Sequence, residues 1–299
     1  MIISASRRTD IPACYPDWFY QRIREGFVLT RNPMRFHQVS KILLSPETVD
    51  GIVLWTKNPA PMMDRLDELN AYTYYFQFTL TSYGKDIEPN VPVKGSEVIP
   101  AFQRLSDKIG PDRVIWRYDP ILLNEKYTTD YHMEYFHEIA KRLKDYTQNC
   151  IISFVDRYQN TERNFDFLRL VEIEDDTKRR LAESLSQTAR SFGIAMDTCA
   201  EEVDLSAYGI GHAKCIDGAL LGKLRGYPLH VSKDKNQRPH CGCDASVDIG
   251  MYNTCKNGCK YCYANYKTWA LKSNADDHDP FSPLLTGIIG EDDIIKERT

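Results

Sequence analysis

Three cysteines near the C-terminal end of the sequence carry its clearest chemistry. In Asn253-Thr254-Cys255-Lys256-Asn257-Gly258-Cys259-Lys260-Tyr261-Cys262-Tyr263 they form a C-x3-C-x2-C run, with an aromatic ring just before the third. Thiolates are the ligands that iron–sulfur clusters prefer, and three on one short loop can hold three corners of a cubic cluster. The loop offers no fourth thiolate, which leaves one iron open to a small molecule. A zinc site is the alternative, with Cys243 or His240 as its fourth ligand. Zinc sites favour paired C-x2-C units, and this run fits that pattern poorly.

Four more thiols, Cys199, Cys215, Cys241 and Cys243, precede the loop. They are a complete ligand set for an auxiliary 4Fe–4S cluster or a structural zinc ion. The single glycine of Cys241-Gly242-Cys243 lets both sulfurs turn the same way. Free buried cysteines acting as small hydrophobes are the alternative. Cys14 and Cys150 read as leftovers, the latter as core at the start of an apolar strand. His132 and His137 are five apart on an expected helix and do not share a face, so His240, beside Cys241, is the histidine best placed to ligate. No Ser/His/Asp or Cys/His hydrolytic arrangement has a recognisable local context.

Alternating strands and helices must position these groups. Strands are expected over 2–6, 51–56, 73–81, 113–118, 150–155 and 194–198, with helices over 18–26, 61–69, 96–109, 130–146 and 177–192. The alternation argues for a parallel sheet with crossover helices, and the continuous apolar strands argue that both faces are buried. No glycine-rich phosphate loop follows the first strand, which removes the usual sign of a dinucleotide fold. Arg7, Asp10, Lys57, Arg117, Asp119, Asp156, Arg157, Glu201 and Glu202 all fall just after strand ends. That is the face where barrels place their chemistry. The expected fold is α/β, a partial (β/α) TIM-like barrel of about six to seven parallel strands.

One more short strand, over 247–252, would carry the cysteine loop at its end, with a helix over 263–271 after it. If that strand inserts beside 2–6, the barrel is circularly permuted and its loop-bearing strand comes last. Chain ends often lie close together, which makes such permutation tolerable. Residues 1–274 would then be one domain with a cysteine-rich segment at 199–262. Residues 275–299 would be a poorly ordered or loosely docked tail, since Asp276-Asp277-His278-Asp279-Pro280 has no apolar face.

At 299 residues the chain is one large domain or two modest ones. Its 42% hydrophobic and 27% charged content is that of an ordinary soluble protein. A net charge of −4 argues against a strongly cationic nucleic-acid binder. No apolar run reaches the roughly 18 residues of a membrane span, and the N-terminus has no leader pattern. A cytoplasmic location is expected, where the nine cysteines serve metals better than disulfides.

The C-x3-C-x2-C run with its aromatic resembles the signature of the radical S-adenosylmethionine superfamily. The resemblance implies that Cys255, Cys259 and Cys262 hold a 4Fe–4S cluster whose open iron is chelated by S-adenosylmethionine. It implies cleavage to a 5′-deoxyadenosyl radical that abstracts hydrogen from a substrate, and an oxygen-sensitive enzyme. Tyr261 would then lie near the adenine. In a permuted barrel Arg7-Arg8-Thr9-Asp10 would meet the methionine end, Asp10 accepting from its amine and Arg7 pairing with its carboxylate. A solvated turn with a surface ion pair is the alternative for that stretch. Lys57, Arg117 and Asp119 are the catalytic candidates, and Glu201 or Glu202 could bind a ribose hydroxyl. A reducing donor such as flavodoxin or ferredoxin is implied as partner, with no membrane. In the superfamily the motif follows the first strand, whereas here it begins at residue 255. Thr56-Lys57-Asn58-Pro59 is similar to a turn of the spore-photoproduct-lyase-like branch, which adds a nucleic acid to small molecules as a substrate class. The chain also resembles, over most of its length, an uncharacterised family with a C-terminal cysteine cluster. Ser4-Ala5-Ser6-Arg7-Arg8-Thr9-Asp10, Trp55-Thr56-Lys57-Asn58-Pro59 and Cys241-Gly242-Cys243 carry that likeness. Two other classes stay open: a non-enzymatic binding module stabilised by zinc or an iron–sulfur cluster, and a barrel hydrolase or lyase with a structural metal.

Overall fold

Runs of Ile, Val, Leu and aromatic residues form the strands of a computed structural model that describes residues 1–156, 162–238 and 240–298. In chain order the elements are β1 (Ile2–Ala5), α1 (Ile11–Cys14), α2 (Pro16–Glu25), β2 (Phe27–Arg31), β3 (Gln38–Leu43), β4 (Gly51–Thr56), α3 (Ala60–Met63), β5 (Tyr74–Thr79), α4 (Ile99–Ile109) and β6 (Val114–Ile121). There follow α5 (Thr129–Leu143), β7 (Asn149–Phe154), α6 (Glu162–Leu168), α7 (Asp175–Ser191), β8 (Ala195–Thr198), β9 (Gly211–His212), α8 (Gly218–Arg225), β10 (Val247–Asp248), α9 (Thr268–Asp276) and β11 (Ile294–Arg298). Asp10 caps α1 and Asp217 caps α8, each carboxylate accepting backbone N–H groups that the helix leaves free.

The large sheet has eight strands in the order β10-β1-β4-β5-β6-β7-β8-β9, one or two more than expected, with every neighbouring pair parallel. Among the described residues the order runs from β10 to β9 without a bond joining those two ends, so the architecture is α/β around one large parallel sheet. Successive side chains point to opposite faces. Ile3, Ile52, Leu54, Phe76, Trp116 and Ile152 pack against the helices. Ile2, Val53, Tyr75, Ile115 and Ile151 face the other way, onto Ala213, Cys215, Ile216, Leu221, Cys241 and Cys243. Both faces are therefore buried, as the unbroken apolar strands require.

The strand expected over 247–252 forms as β10, and it lies beside β1 in parallel, Ile3 opposite Val247 and Ser4 opposite Asp248. The helix expected over 263–271 instead begins at Thr268, because 253–267 is drawn into a closed loop. The tail is a second correction. β11 pairs in parallel with β3, which pairs antiparallel with β2, giving a three-stranded sheet. Arg31 makes a two-pronged ion pair with Asp293, at 2.5 and 2.8 Å. Trp18 Nε1 donates to the carbonyls of Ser282 and Leu284, and Arg22 to that of Phe281. Leu284 packs with Leu29 and Val39, and Leu285 joins the main core, so the segment docks by main-chain acceptors, an ion pair and two buried leucines that lie beyond the polar 276–280 stretch. Among the described residues no helix is long and apolar enough to cross a membrane. Arg157 lies outside the described residues.

Candidate functional site

Asp248, the last residue of β10, gathers the end of β1 around itself. Its carboxylate accepts from Ser4 Oγ at 3.0 Å, Ser6 Oγ at 2.6 Å, the Arg7 N–H at 2.8 Å and the Gly250 N–H at 3.0 Å. Gly250 is required here by space: a Cβ would stand 2.1 Å from Ser6 Oγ and 2.6 Å from Ser6 Cβ. Thr9 Oγ1 donates to the Met251 carbonyl and lies 2.5 Å from Thr254 Oγ1. The loop after β1 and the start of the cysteine loop are thus one hydrogen-bonded unit.

Asn253 closes the cysteine loop. It is left-handed, φ +57°, a conformation that asparagine tolerates better than most residues. Its Oδ1 accepts from the N–H groups of Tyr266 and Lys267, and its own N–H donates to the Ala264 carbonyl. Gly258, φ +70°, turns the chain between Cys255 and Cys259 and packs on Pro89 and Asn90. Asn90 donates from Nδ2 to the Lys256 carbonyl, and Lys260 N–H to the Ile87 carbonyl. The loop is therefore held on one side by the β1 turn and on the other by 87–91.

Asp10 and Lys57 lie beside the loop thiols, each held by partners from inside the protein. One Asp10 oxygen caps α1 through Ala13 N–H at 3.1 Å. The other accepts from Lys57 N–H at 2.7 Å and Asn257 Nδ2 at 2.8 Å. Asp10 thus ties the β4 end and the start of α1 to the cysteine loop. Burial raises its pKa against these hydrogen bonds. Lys57 Nζ ion-pairs at 2.8 Å with Glu88, a fully buried carboxylate that sequence reasoning missed. Glu88 also binds Lys94 Nζ, Thr81 Oγ1 and the hydroxyl of Tyr261. Burial opposes its charge, and the two lysines overcome that, holding its pKa at about 2. Tyr261 is thus anchored through its hydroxyl, with the Lys57 ammonium 5.5 Å from its ring centre.

The three loop thiols are close enough to feel one another's charge. Burial raises the pKa of Cys259, and takes that of Cys262 to about 11. Cys255 is lowered by a hydrogen bond from Cys14, whose own pKa that bond raises. Cys14, read from sequence as a leftover, is a neighbour of the site. It comes from α1, and nothing in its local sequence signals the contact. Cys243 and His240 are not neighbours of the loop thiols in this way: Cys243 contacts Cys215 and Cys241, and exposed His240 stands 3.6 Å from Glu202.

Arg117 and Asp119, expected just after a strand end, lie within β6, which runs on to Ile121, and pair with each other there. Arg117 also donates to Gln77 Oε1 and, at 2.9 Å, to Cys215 Sγ, while Ser153 Oγ donates to Asp119. These two candidates therefore belong to the second cysteine set, as does Arg7. Burial works against the Arg7 charge, and Cys243, Cys215 and Asp248 outweigh it. Arg7 Nη2 is buried with no hydrogen-bond partner. The Arg7 carbonyl accepts from Tyr263 next to Cys262, so this residue links the two sets. Glu201, after β8, accepts from Phe154 N–H at 2.8 Å, and burial raises its pKa to about 7. Glu202 is exposed. Among the described residues no three His, Cys, Asp or Glu side chains surround one point closely enough to hold a metal ion as they stand.

No curated protein matches the chain. Among solved structures it is similar to that of a candidate alpha-L-fucosidase from Bacteroides thetaiotaomicron, at 12% identity and a TM-score of 0.28, over 71% of this chain and 81% of the other. A similarity so low says nothing about activity. The sheet, the β1 turn and the cysteine loop all lie within one stretch, residues 2–264, that matches a single family model, and the chain belongs to that family, a domain of unknown function designated DUF1848.

Proposed function

We propose that this protein is a radical S-adenosylmethionine enzyme, built on a permuted (β/α) barrel in which β10 stands in the place of the first strand. Cys255, Cys259 and Cys262 would hold a 4Fe–4S cluster. One observation carries the reading: a C-x3-C-x2-C loop follows a strand of a parallel sheet and is fastened to the turn after the adjacent strand through Thr9, Asp10 and Asp248. The donor set suits the group, since three thiols lie close together on one loop, and the turn after β1 offers the buried, unpartnered Nη2 of Arg7. When bound, the cluster and S-adenosylmethionine supply one-electron cleavage to a 5′-deoxyadenosyl radical. The chain's own work is to hold and shield. Asp10 and Asn257 set the loop, Arg7 Nη2 is available to a carboxylate, and the Lys57–Glu88–Lys94 network backs Tyr261 with fixed charge. A reducing protein of the flavodoxin or ferredoxin type would deliver the electron. The net charge of −4 favours a small-molecule substrate over a nucleic acid.

Anaerobic reconstitution with iron and sulfide, followed by electron paramagnetic resonance with and without S-adenosylmethionine, tests this. The expected result is a cluster signal that shifts with S-adenosylmethionine and is lost in Cys259→Ala, with release of 5′-deoxyadenosine on reduction. A signal indifferent to S-adenosylmethionine ends the reading. The contact between Cys14 and Cys255 favours one second reading, a closed centre with four protein ligands in a non-enzymatic module. Cys14→Ser discriminates: the cluster survives it if the fourth iron is open and is lost if Cys14 is a ligand.

A further inference from the structure

Cys199, Cys215, Cys241 and Cys243 take no part in the chemistry just described, yet the fold brings all four to one place. Cys199 follows β8, Cys215 follows β9, and the other two lie on one turn before β10. The segment bearing Cys215 is pinned to the sheet by Tyr75 Oη and Gln77 Nε2, which donate to its carbonyl at 2.8 and 2.9 Å. The turn is tied to that segment by Asp244, whose N–H donates to the Ile216 carbonyl and whose carboxylate accepts from Gly218 N–H.

Cys199 Sγ lies 3.1 Å from Cys215 Sγ. Cys215, Cys241 and Cys243 pack in one buried cluster, with Cys199 against it. Two N–H donors point at sulfur from outside, Arg117 Nη1 at Cys215 and the Ile216 N–H at Cys243, at 2.9 and 3.5 Å. Donors of this kind are what bound thiolates receive from their surroundings. Trp55, whose ring lies 5.1 Å from the Arg117 guanidinium carbon, has a buried Nε1 with no partner.

Spacing selects the ligand. A tetrahedral ion about 2.3 Å from each sulfur holds the sulfurs roughly 3.8 Å apart. A cubic cluster, with a separate iron for each thiolate, spreads them further. The one pair 3.1 Å apart is nearer the first arrangement than the second. We propose that these four thiolates bind one divalent, thiophilic ion of the zinc class, which fastens 213–216 and 241–243 onto the inner face of the sheet. As they stand, the sulfurs are clustered but do not form a closed shell. Each turns about a single torsion, and loss of the thiol protons removes the bonds that draw neighbours together.

The test uses the full-length chain with Cys255, Cys259 and Cys262 all changed to serine, so that the result stands apart from the fate of the radical reading. Elemental analysis of this variant is expected to find one zinc per chain, retained through dialysis. Exchange into Co2+ is expected to give the thiolate charge-transfer and intense visible bands of four-sulfur tetrahedral cobalt. Cys243→His in the same background keeps the metal with a shifted cobalt spectrum, which separates loss of a ligand from loss of the fold. Cys241→Ser with Cys243→Ser loses it. Absence of zinc and cobalt from a folded triple variant overturns the proposal. So does iron with sulfide in place of zinc, or full zinc retention after loss of Cys241 and Cys243.

Discussion

Replacing Glu88 by glutamine removes the counter-charge shared by two buried ammonium groups while keeping the side chain's size. In the native protein Glu88 accepts from Lys57, Lys94, Thr81 and Tyr261. Its carboxyl titrates at about 2 in the fold, against an ordinary value of 4.5. That gap corresponds to about 3 kcal/mol held by the folded state at neutral pH. Mutational experience with broken buried ion pairs gives a similar figure, about 3–5 kcal/mol. The sign follows from the protons. Between pH 4.5 and 2 the unfolded chain binds a proton that the native one does not, so this stability is complete above pH 4.5 and is lost as pH falls toward 2. Urea denaturation followed by tryptophan fluorescence should show Glu88→Gln less stable by about 3 kcal/mol at pH 7. Its stability should also fall less steeply than the wild type's below pH 4.5. Adding Lys94→Met, which removes a stranded charge, should recover part of the loss. The reasoning is refuted if Glu88→Gln stays within about 1 kcal/mol of wild type, or if the double variant is weaker than the single.

Gly250→Ala places a methyl group against Ser6 and should cost about 1–3 kcal/mol of stability, read as a lower urea midpoint with an unchanged circular dichroism spectrum. An unchanged midpoint would show that the two strand ends are not so closely packed. His132 is buried, accepts from the Tyr118 hydroxyl at 2.8 Å and donates from Nε2 to the Leu122 carbonyl at 2.9 Å. Burial lowers its pKa from 6.5 to about 4. The unfolded chain therefore gains a proton first as pH falls, and stability should drop by about 3 kcal/mol between pH 6.5 and 4. His132→Gln should flatten that part of the pH profile, and a profile that keeps its slope in the variant would count against a neutral, buried imidazole.

The strands of the large sheet are readable because their pattern is local. Gly51-Ile-Val-Leu-Trp-Thr and Asn149-Cys-Ile-Ile-Ser-Phe are apolar runs of strand length, and each lies where the pattern puts it. The pair β2 and β3 is not readable in the same way. Residues 38–43 mix Ser40 and Lys41 with Val39 and Ile42, since one side of the small sheet is open, and the third strand arrives from residues 294–298. The site divides likewise. Cysteine spacing marks the loop, and position after a strand marks Arg7, Asp10 and Lys57, whereas Arg117, expected just after a strand end, lies within β6. Which partner each takes is a matter of tertiary distance. Glu88 and Cys14 carry no motif, and the fold alone brings them to Tyr261 and Cys255.

The pairing of β1 with β10 also sets an order of events during synthesis. Ser4 and its partner Asp248 are 244 residues apart. At a bacterial or eukaryotic translation rate, β1 waits roughly 10–50 s before the strand that covers its outer edge has been made. Until then the nascent sheet presents an unpaired, apolar edge, the kind of surface that invites pairing with another chain. The loop thiols emerge later still, when the strands that frame them already exist. The reactive sulfurs therefore meet their setting as they leave the ribosome, and the exposure falls on the edge of β1 instead.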